Sequence, residues 1–240
     1  MSDQDSSPGV SGTGRGLFPV THWTEIARIN NPEHPEAHEA LENLCRTYLP
    51  AIETYLRCIR NLPGEPHEIA NDFLAKFISD NSLQRVDRNK GKFRSFLLGA
   101  LRHYLLGEWR RKRNLPVTVE LDDELLHATS DIEAVERFDR KVAELLVKTA
   151  ITQVKQRFIG TRIEPQIPFF LPYLTVDPPK ETLRDLAQRL GISEDLAYQN
   201  FKRVRDSLHE QLRRETRKLL GPDDSVEEEL QALLRIYAKA

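Results

Sequence analysis

Apolar side chains recur every three or four residues along most of this chain, a period that suits helices and little else. Pro35 opens a segment in which Ala37, Ala40, Leu41, Leu44, Tyr48 and Leu49 share one face. Pro50 is expected to restart the chain, with Ile52, Tyr55, Leu56 and Ile59 as a second stripe before the break at Leu62, Pro63 and Gly64. Pro66 suits the first turn of a third helix, in which Ile69, Ala70, Phe73, Leu74, Phe77 and Ile78 keep the period. A fourth helix follows Asn89, Lys90 and Gly91 and carries Phe93, Phe96, Leu97, Ala100, Leu101, Tyr104 and Leu105 on one side. No strand candidate is longer than Val117 to Leu121. The expected class is all-α.

The pattern divides the chain. Residues 1–16 are polar and rich in Gly and Ser, too poor in apolar groups to offset the entropy of ordering, and read as a disordered tail. Residues 17–113 form a first helical domain. Residues 114–130 turn acidic and read as a linker. Residues 131–240 form a second helical domain, in which Ser130 and Glu133 make a capping box for a helix reaching about Phe158. Val135, Phe138, Val142, Leu145 and Val154 supply its buried side. Pro165, Pro168 and Pro172 make the next stretch irregular or a set of short helices. Helices at about 180–190 and 193–219 follow, then a short one from Val226 to Tyr237.

The 240 residues carry 35 Lys and Arg against 37 Asp and Glu, a formal charge of −2. That total argues against a nucleic-acid partner, but its distribution argues the opposite. From Arg88 to Arg113 nine basic residues face Glu108 alone, a net +8 in 26 residues. From Val117 to Asp139 the net charge is −7, and from Tyr198 to Lys218 it is +4. No run approaches the roughly 18 apolar residues of a membrane helix, and the first 16 residues do not read as a secretory signal. Cys45 and Cys58 match no metal or redox spacing, so a reducing cytoplasm is the expected compartment.

The segment Glu181 to Leu208 is the most specific signal. Leu183, Leu186, Ala187 and Leu190 give a first helix its inner face, and Ala187 is small where two helices would cross. Gly191 stands where the chain must leave that helix with positive φ. Ile192 plugs the turn and Ser193 is an N-cap for the next helix. Leu196, Ala197, Phe201, Val204 and Leu208 are expected to face inward. Glu194, Asp195, Tyr198, Gln199, Lys202 and Arg203 then face outward, where a helix-turn-helix reads a major groove. Arg205, Arg213 and Arg214 are candidate phosphate contacts.

Aromatic residues interleave with the first basic segment. Phe93, Phe96 and Tyr104 follow the buried stripe. Trp109 ends it, beside Arg110, Arg111, Lys112 and Arg113. It reads either as a core residue or as a stacking platform for an unpaired base next to phosphate-binding arginines.

Taken together, these segments resemble the bacterial RNA polymerase sigma factors, of the small extracytoplasmic-function type. In that family, a helical region two and a helix-turn-helix region four are joined by a linker. The run from Glu68 to Phe77 is similar to the family's core-binding helix, with Glu68, Asn71 and Asp72 where Asp, Gln and Glu are usual. Gly91 to Leu97, followed by Trp109, Arg110 and Arg111, is similar to the part that melts and reads the minus-ten element. The opening Phe18 to Trp23 and the tail Glu227 to Leu230 resemble a planctomycete-type subgroup. The resemblance implies a specificity subunit rather than an enzyme, with core polymerase and promoter DNA as partners and room for an anti-sigma factor.

Residue by residue, the resemblance implies that Glu68, Asn71, Asp72 and Lys76, on one helical face, meet the core enzyme. Arg88, Lys90, Lys92, Arg94, Trp109, Arg110, Arg111 and Arg113 would hold the opened minus-ten region. Ser193, Glu194, Tyr198, Gln199, Lys202, Arg203 and Arg205 would engage the minus-thirty-five element. About six phosphate contacts would lower affinity roughly a thousandfold between 50 and 200 mM salt. The acidic linker could occupy the positively charged channel of the core enzyme or fold back on the basic helix.

Two other classes are weaker. A helix-turn-helix regulator acting without polymerase would need a dimer interface, for which Val226, Leu230, Leu233, Leu234 and Tyr237 are candidates. A metalloenzyme would need more than His34 and His38, since no HExxH motif and no third ligand of suitable spacing is present. No cofactor or metal is expected.

Overall fold

Helical period becomes helix along the chain, in a computed structural model that describes residues 26, 28–31, 33–80, 82, 92–113, 132–174, 178–220 and 224–238. The main helices are α1 (Ala37–Leu56), α2 (Pro66–Ser79), α3 (Phe93–Lys112) and α4 (Ile132–Arg157). After them come α5 (Ile167–Phe170), α6 (Leu183–Leu190), α7 (Glu194–Lys218) and α8 (Val226–Ala238). Short 3-10 turns at Glu164–Gln166 and Leu171–Leu174 flank α5, so the proline-rich stretch is a set of short helices. No strand occurs among the described residues, and the class is all-α. None of the described helices is long and apolar enough to cross a membrane. The Gly/Ser tail, Ser130, the acidic linker and the strand candidate at Val117 to Leu121 lie outside the described residues.

Pro50 does not restart the chain. It lies inside α1, which runs unbroken from Ala37 to Leu56. A proline at this position leaves the Arg46 carbonyl without an amide to accept and crowds the preceding turn. Burial outweighs that penalty, because Tyr48, Ala51, Ile52, Tyr55 and Leu56 on both sides of Pro50 are all at most 1% exposed. The hydroxyls of Thr47 and Thr54 add bonds of 2.8 Å to the carbonyls of Asn43 and Pro50.

α4 is the beam of the molecule. It packs on α1, α7 and α8. Ala134, Phe138, Val142, Ala143, Leu146, Ala150 and Val154 are its buried residues, spaced to make one continuous stripe. Small residues at 134, 143 and 150 let the neighbouring helices approach closely. Buried side chains from Ile26 in the first half to Leu233 in α8 belong to one apolar cluster. The apolar face of α4 therefore couples α1 to the helix-turn-helix and the C-terminal helix.

Candidate nucleic-acid interface

The turn between α6 and α7 is built by local chemistry. The Thr182 hydroxyl accepts the Asp185 amide at 3.2 Å, and the Asp185 carboxylate accepts the Thr182 amide at 3.0 Å. This reciprocal cap fixes the start of α6. Bonds from the Thr182 hydroxyl and then from its amide hold the Asp185 carboxyl below the usual aspartate range. At the other end, Gly191 takes φ +65°, a left-handed conformation that costs a side-chain-bearing residue strain. That bend lets the Ile192 amide close onto the Ala187 carbonyl at 3.1 Å. Ser193 then caps α7 by accepting the Leu196 amide at 3.3 Å.

Leu186 and Ala187 on α6 and Ala197 and Val204 on α7 are buried at the crossing. Leu196, expected to face inward, is 43% exposed instead. The inward line of α7 passes through Ala197, Val204 and Leu208, and Leu196 lies about one residue's rotation of 100° away from it. The proline-rich stretch supports α7 from below. Phe170 and Tyr173 meet Phe201 with ring centroids 5.9 and 6.3 Å apart. The buried Asn200 donates to the Gln166 side chain at 3.0 Å. Sequence pattern gave this stretch no role, because its packing partner lies about thirty residues further on.

The outer face of α7 presents Glu194, Asp195, Tyr198, Gln199, Lys202, Arg203 and Arg205, all exposed. Tyr198 is 58% exposed, a large apolar ring held in solvent. Glu194 is paired with Arg184 of α6 at 3.0 Å, which raises the Arg184 pKa. Arg205 is paired with Asp206 at 3.0 Å, and Arg213 with Glu227 at 3.3 Å. Lys202 and Arg203 have no ion pair among the described residues.

The first basic segment is arranged differently. Arg88 and Lys90 lie outside the described residues. Trp109 is 3% exposed and its indole N–H donates to the Asn61 carbonyl at 2.8 Å. Of its two readings, the core residue is the one this arrangement realises, because a buried ring has no face free to stack on a base. Arg110 is half-buried, Arg111 and Arg113 are exposed, and Arg111 pairs with Glu108 one turn back.

Lys92 and Arg94 stand at the amino end of α3, where both meet Glu229 of α8. Arg94 also donates from Nε to Asp139 of α4 at 3.0 Å. The side chain of Glu229 is 2% exposed and that of Arg94 is 10% exposed, so this is a buried ionic cluster. Burial disfavours the charged guanidinium, yet Asp139 and Glu229 outweigh it and raise the Arg94 pKa. For Asp139 burial wins, and its pKa is raised although Arg94 pulls the other way. Neither acid was legible as a partner: Asp139 reads as the end of the acidic run, and Glu229 as one of three successive glutamates.

Glu68, Asn71, Asp72 and Lys76 lie together on the exposed face of α2, opposite the buried Ile69, Ala70, Phe73, Leu74 and Phe77. Asn71 bonds the His67 ring at 3.0 Å, and that ring bonds Glu53 of α1 at 2.7 Å. Lys76 sits 5.7 Å above the Tyr104 ring of α3. The two candidate histidines take separate partners: His38 pairs with Glu42 at 3.3 Å, and His34 accepts the Glu36 amide at 3.1 Å. Comparison with known protein families, with curated proteins and with solved structures found no match.

Proposed function

We propose that this chain is a sigma-type specificity subunit, which binds core RNA polymerase and directs it to promoter DNA. The observation that carries the reading is the Gly191-hinged pair of α6 and α7, with Tyr198, Gln199, Lys202 and Arg203 exposed on one face of the second helix. A helix so presented fits a major groove, with the amide of Gln199 at base edges and Lys202 and Arg203 at phosphates. In this reading the polar face of α2 contacts the core enzyme, and α3 contacts the minus-ten region. The chain performs no chemistry; it positions DNA for the polymerase.

A regulator working as a dimer without polymerase draws less support. Leu230 and Leu233, the centre of the proposed dimer face, are buried within the chain, where α8 packs on α4 and α7. Their apolar side is already used.

Transcription in vitro with bacterial core polymerase and a genomic fragment library tests the proposal. We expect the protein to bind core and to start transcripts at discrete sites that core alone does not use. Specific DNA binding by a dimer, with no binding to core, overturns it in favour of the regulator.

A further inference from the structure

Several ion pairs among the described residues join neighbours on one helix, as Arg46 joins Glu42 and Arg137 joins Glu133. Such pairs are exposed and contribute little. The contact of Glu229 with Lys92 and Arg94 is of another kind. It joins residues 137 and 135 positions apart, and it buries the carboxylate almost completely. One oxygen, Oε1, takes Arg94, and the other, Oε2, takes Lys92. A single anionic group with two oxygens thus bridges two cations at a helix amino end whose own first turn holds no acidic side chain. That end of a helix attracts negative charge, whether it comes from a carboxylate or a phosphate.

We infer that Glu229 occupies, in the free protein, the seat of a nucleic-acid backbone phosphate on Lys92 and Arg94, so that α8 masks this part of α3 until DNA displaces it. The inference rests on the proposed function, and it names how the α3 site is regulated. Two non-bridging oxygens of a phosphodiester can replace Oε1 and Oε2 one for one, and the exchange leaves the charge of the cluster neutralised. Asp139 stays behind on Arg94 Nε and keeps the guanidinium oriented during the exchange. With its side chain 10% exposed, Arg94 has no path to a phosphate while α8 is docked. Grip on DNA and release of α8 are therefore one event.

The exchange is physically accessible because a buried ion pair adds little net stability. What holds α8 in place is the packing of Leu230 and Leu233, which the cluster registers rather than drives. Two carboxylates outside residues 114–130, Asp139 on α4 and Glu229 on α8, thus lie on the basic amino end of α3.

The test uses the full chain without polymerase and a fluorescein-labelled duplex carrying a short unpaired bubble, followed by anisotropy at low salt. Glu229→Gln keeps the shape of the side chain and removes its charge. We expect it to bind the probe about tenfold more tightly than the parent, a typical coupling between competing sites. In a background of Lys92→Gln and Arg94→Gln the same substitution is expected to change nothing. If Glu229→Gln binds like the parent, the masking is overturned while the DNA-binding reading stands. If neither binds the probe at low salt, the DNA-binding reading falls, and the inference with it. A measurement on the unsubstituted protein guards against misfolding of the variant. On saturation with the probe, amide hydrogens of residues 226–238 are expected to exchange faster. DNA binding with unchanged exchange there overturns the inference.

Discussion

Asn61 holds its backbone at φ +54° and offers its carbonyl to the Trp109 indole at 2.8 Å, tying the loop after α1 to the last turn of α3. Asn61 is the one non-glycine residue with positive φ among the described residues. Asparagine tolerates that conformation better than most. The ring, 3% exposed, closes the end of the apolar stripe that Phe93 begins. Trp109→Phe keeps most of the packing and loses the hydrogen bond, so we expect a cost of about 1 kcal/mol in urea unfolding. Trp109→Ala also leaves a cavity and is expected to cost about 3–5 kcal/mol. DNA affinity of Trp109→Phe should match the parent; a large loss would show that the ring stacks on a base after all.

Gly191 gives a second expectation. A Cβ built there meets nothing within 4 Å, so a substitution acts only through the backbone. Gly191→Ala should cost about 1 kcal/mol, the strain of a left-handed residue carrying a side chain. Gly191→Asn should cost less, because asparagine enters that region more easily. Equal losses for the two, read from chemical denaturation, would point to something other than φ.

What the residues announced in advance was local chemistry. Gly191, Ser193 and Pro66 each act within a few positions of themselves, and each does what its pattern implies. The inner faces of α2 and α7 follow the same rule, apart from Leu196. Residues whose partners lie far along the chain were not legible. Glu229 looks like any surface glutamate until α8 is laid against α3, and Trp109 looks as suited to a base as to a core until Asn61 is found beneath it. The summed charge of −2 misleads for a different reason, since it averages over segments of +8, −7 and +4 that the sequence itself already separates.

Pro50 is the instructive failure of a local rule, and it yields a prediction. Proline inside a helix is penalised by up to about 3 kcal/mol relative to alanine, and here the packing of Tyr48, Ile52 and Tyr55 carries the helix through it. Pro50→Ala returns an amide to the Arg46 carbonyl. We expect it to stabilise the protein by about 1–3 kcal/mol. A neutral or negative effect would mean that the proline sets a bend on which the burial of Tyr55 and Leu56 depends.

Two aspartates should give opposite pH dependences. Asp185 has a lowered pKa, so its native carboxylate is favoured, and the stability it adds at neutral pH is lost as pH falls through the acid range. Asp139 has a raised pKa, so its native state binds a proton more readily than the unfolded chain does. Its contribution to stability therefore grows as pH falls from neutrality toward the ordinary aspartate value. Relative to the parent, Asp185→Asn should lose less stability in acid than at neutral pH. Asp139→Asn should compare best with the parent at neutral pH and worse in acid. Denaturant titrations across pH, with the same sign for both variants, would contradict this assignment.

The face of α7 separates two kinds of contact. Lys202 and Arg203, exposed and without ion pairs among the described residues, are expected to meet phosphates whatever the base sequence. Removing either should weaken binding on all sites alike and flatten the slope of log affinity against log salt by about 0.9, the counterion release of one phosphate contact on duplex DNA. Gln199 is expected to address base edges, where a well-placed amide is worth about 1–3 kcal/mol of discrimination. Gln199→Ala should leave the salt slope unchanged and relax preference at one position of a randomised duplex pool. Tyr198, 58% exposed beside it, offers an apolar ring to a thymine methyl, and Tyr198→Ala should act on preference rather than on salt dependence. A salt slope that falls with Gln199→Ala, or a base preference that moves with Lys202→Ala, would reverse the two roles.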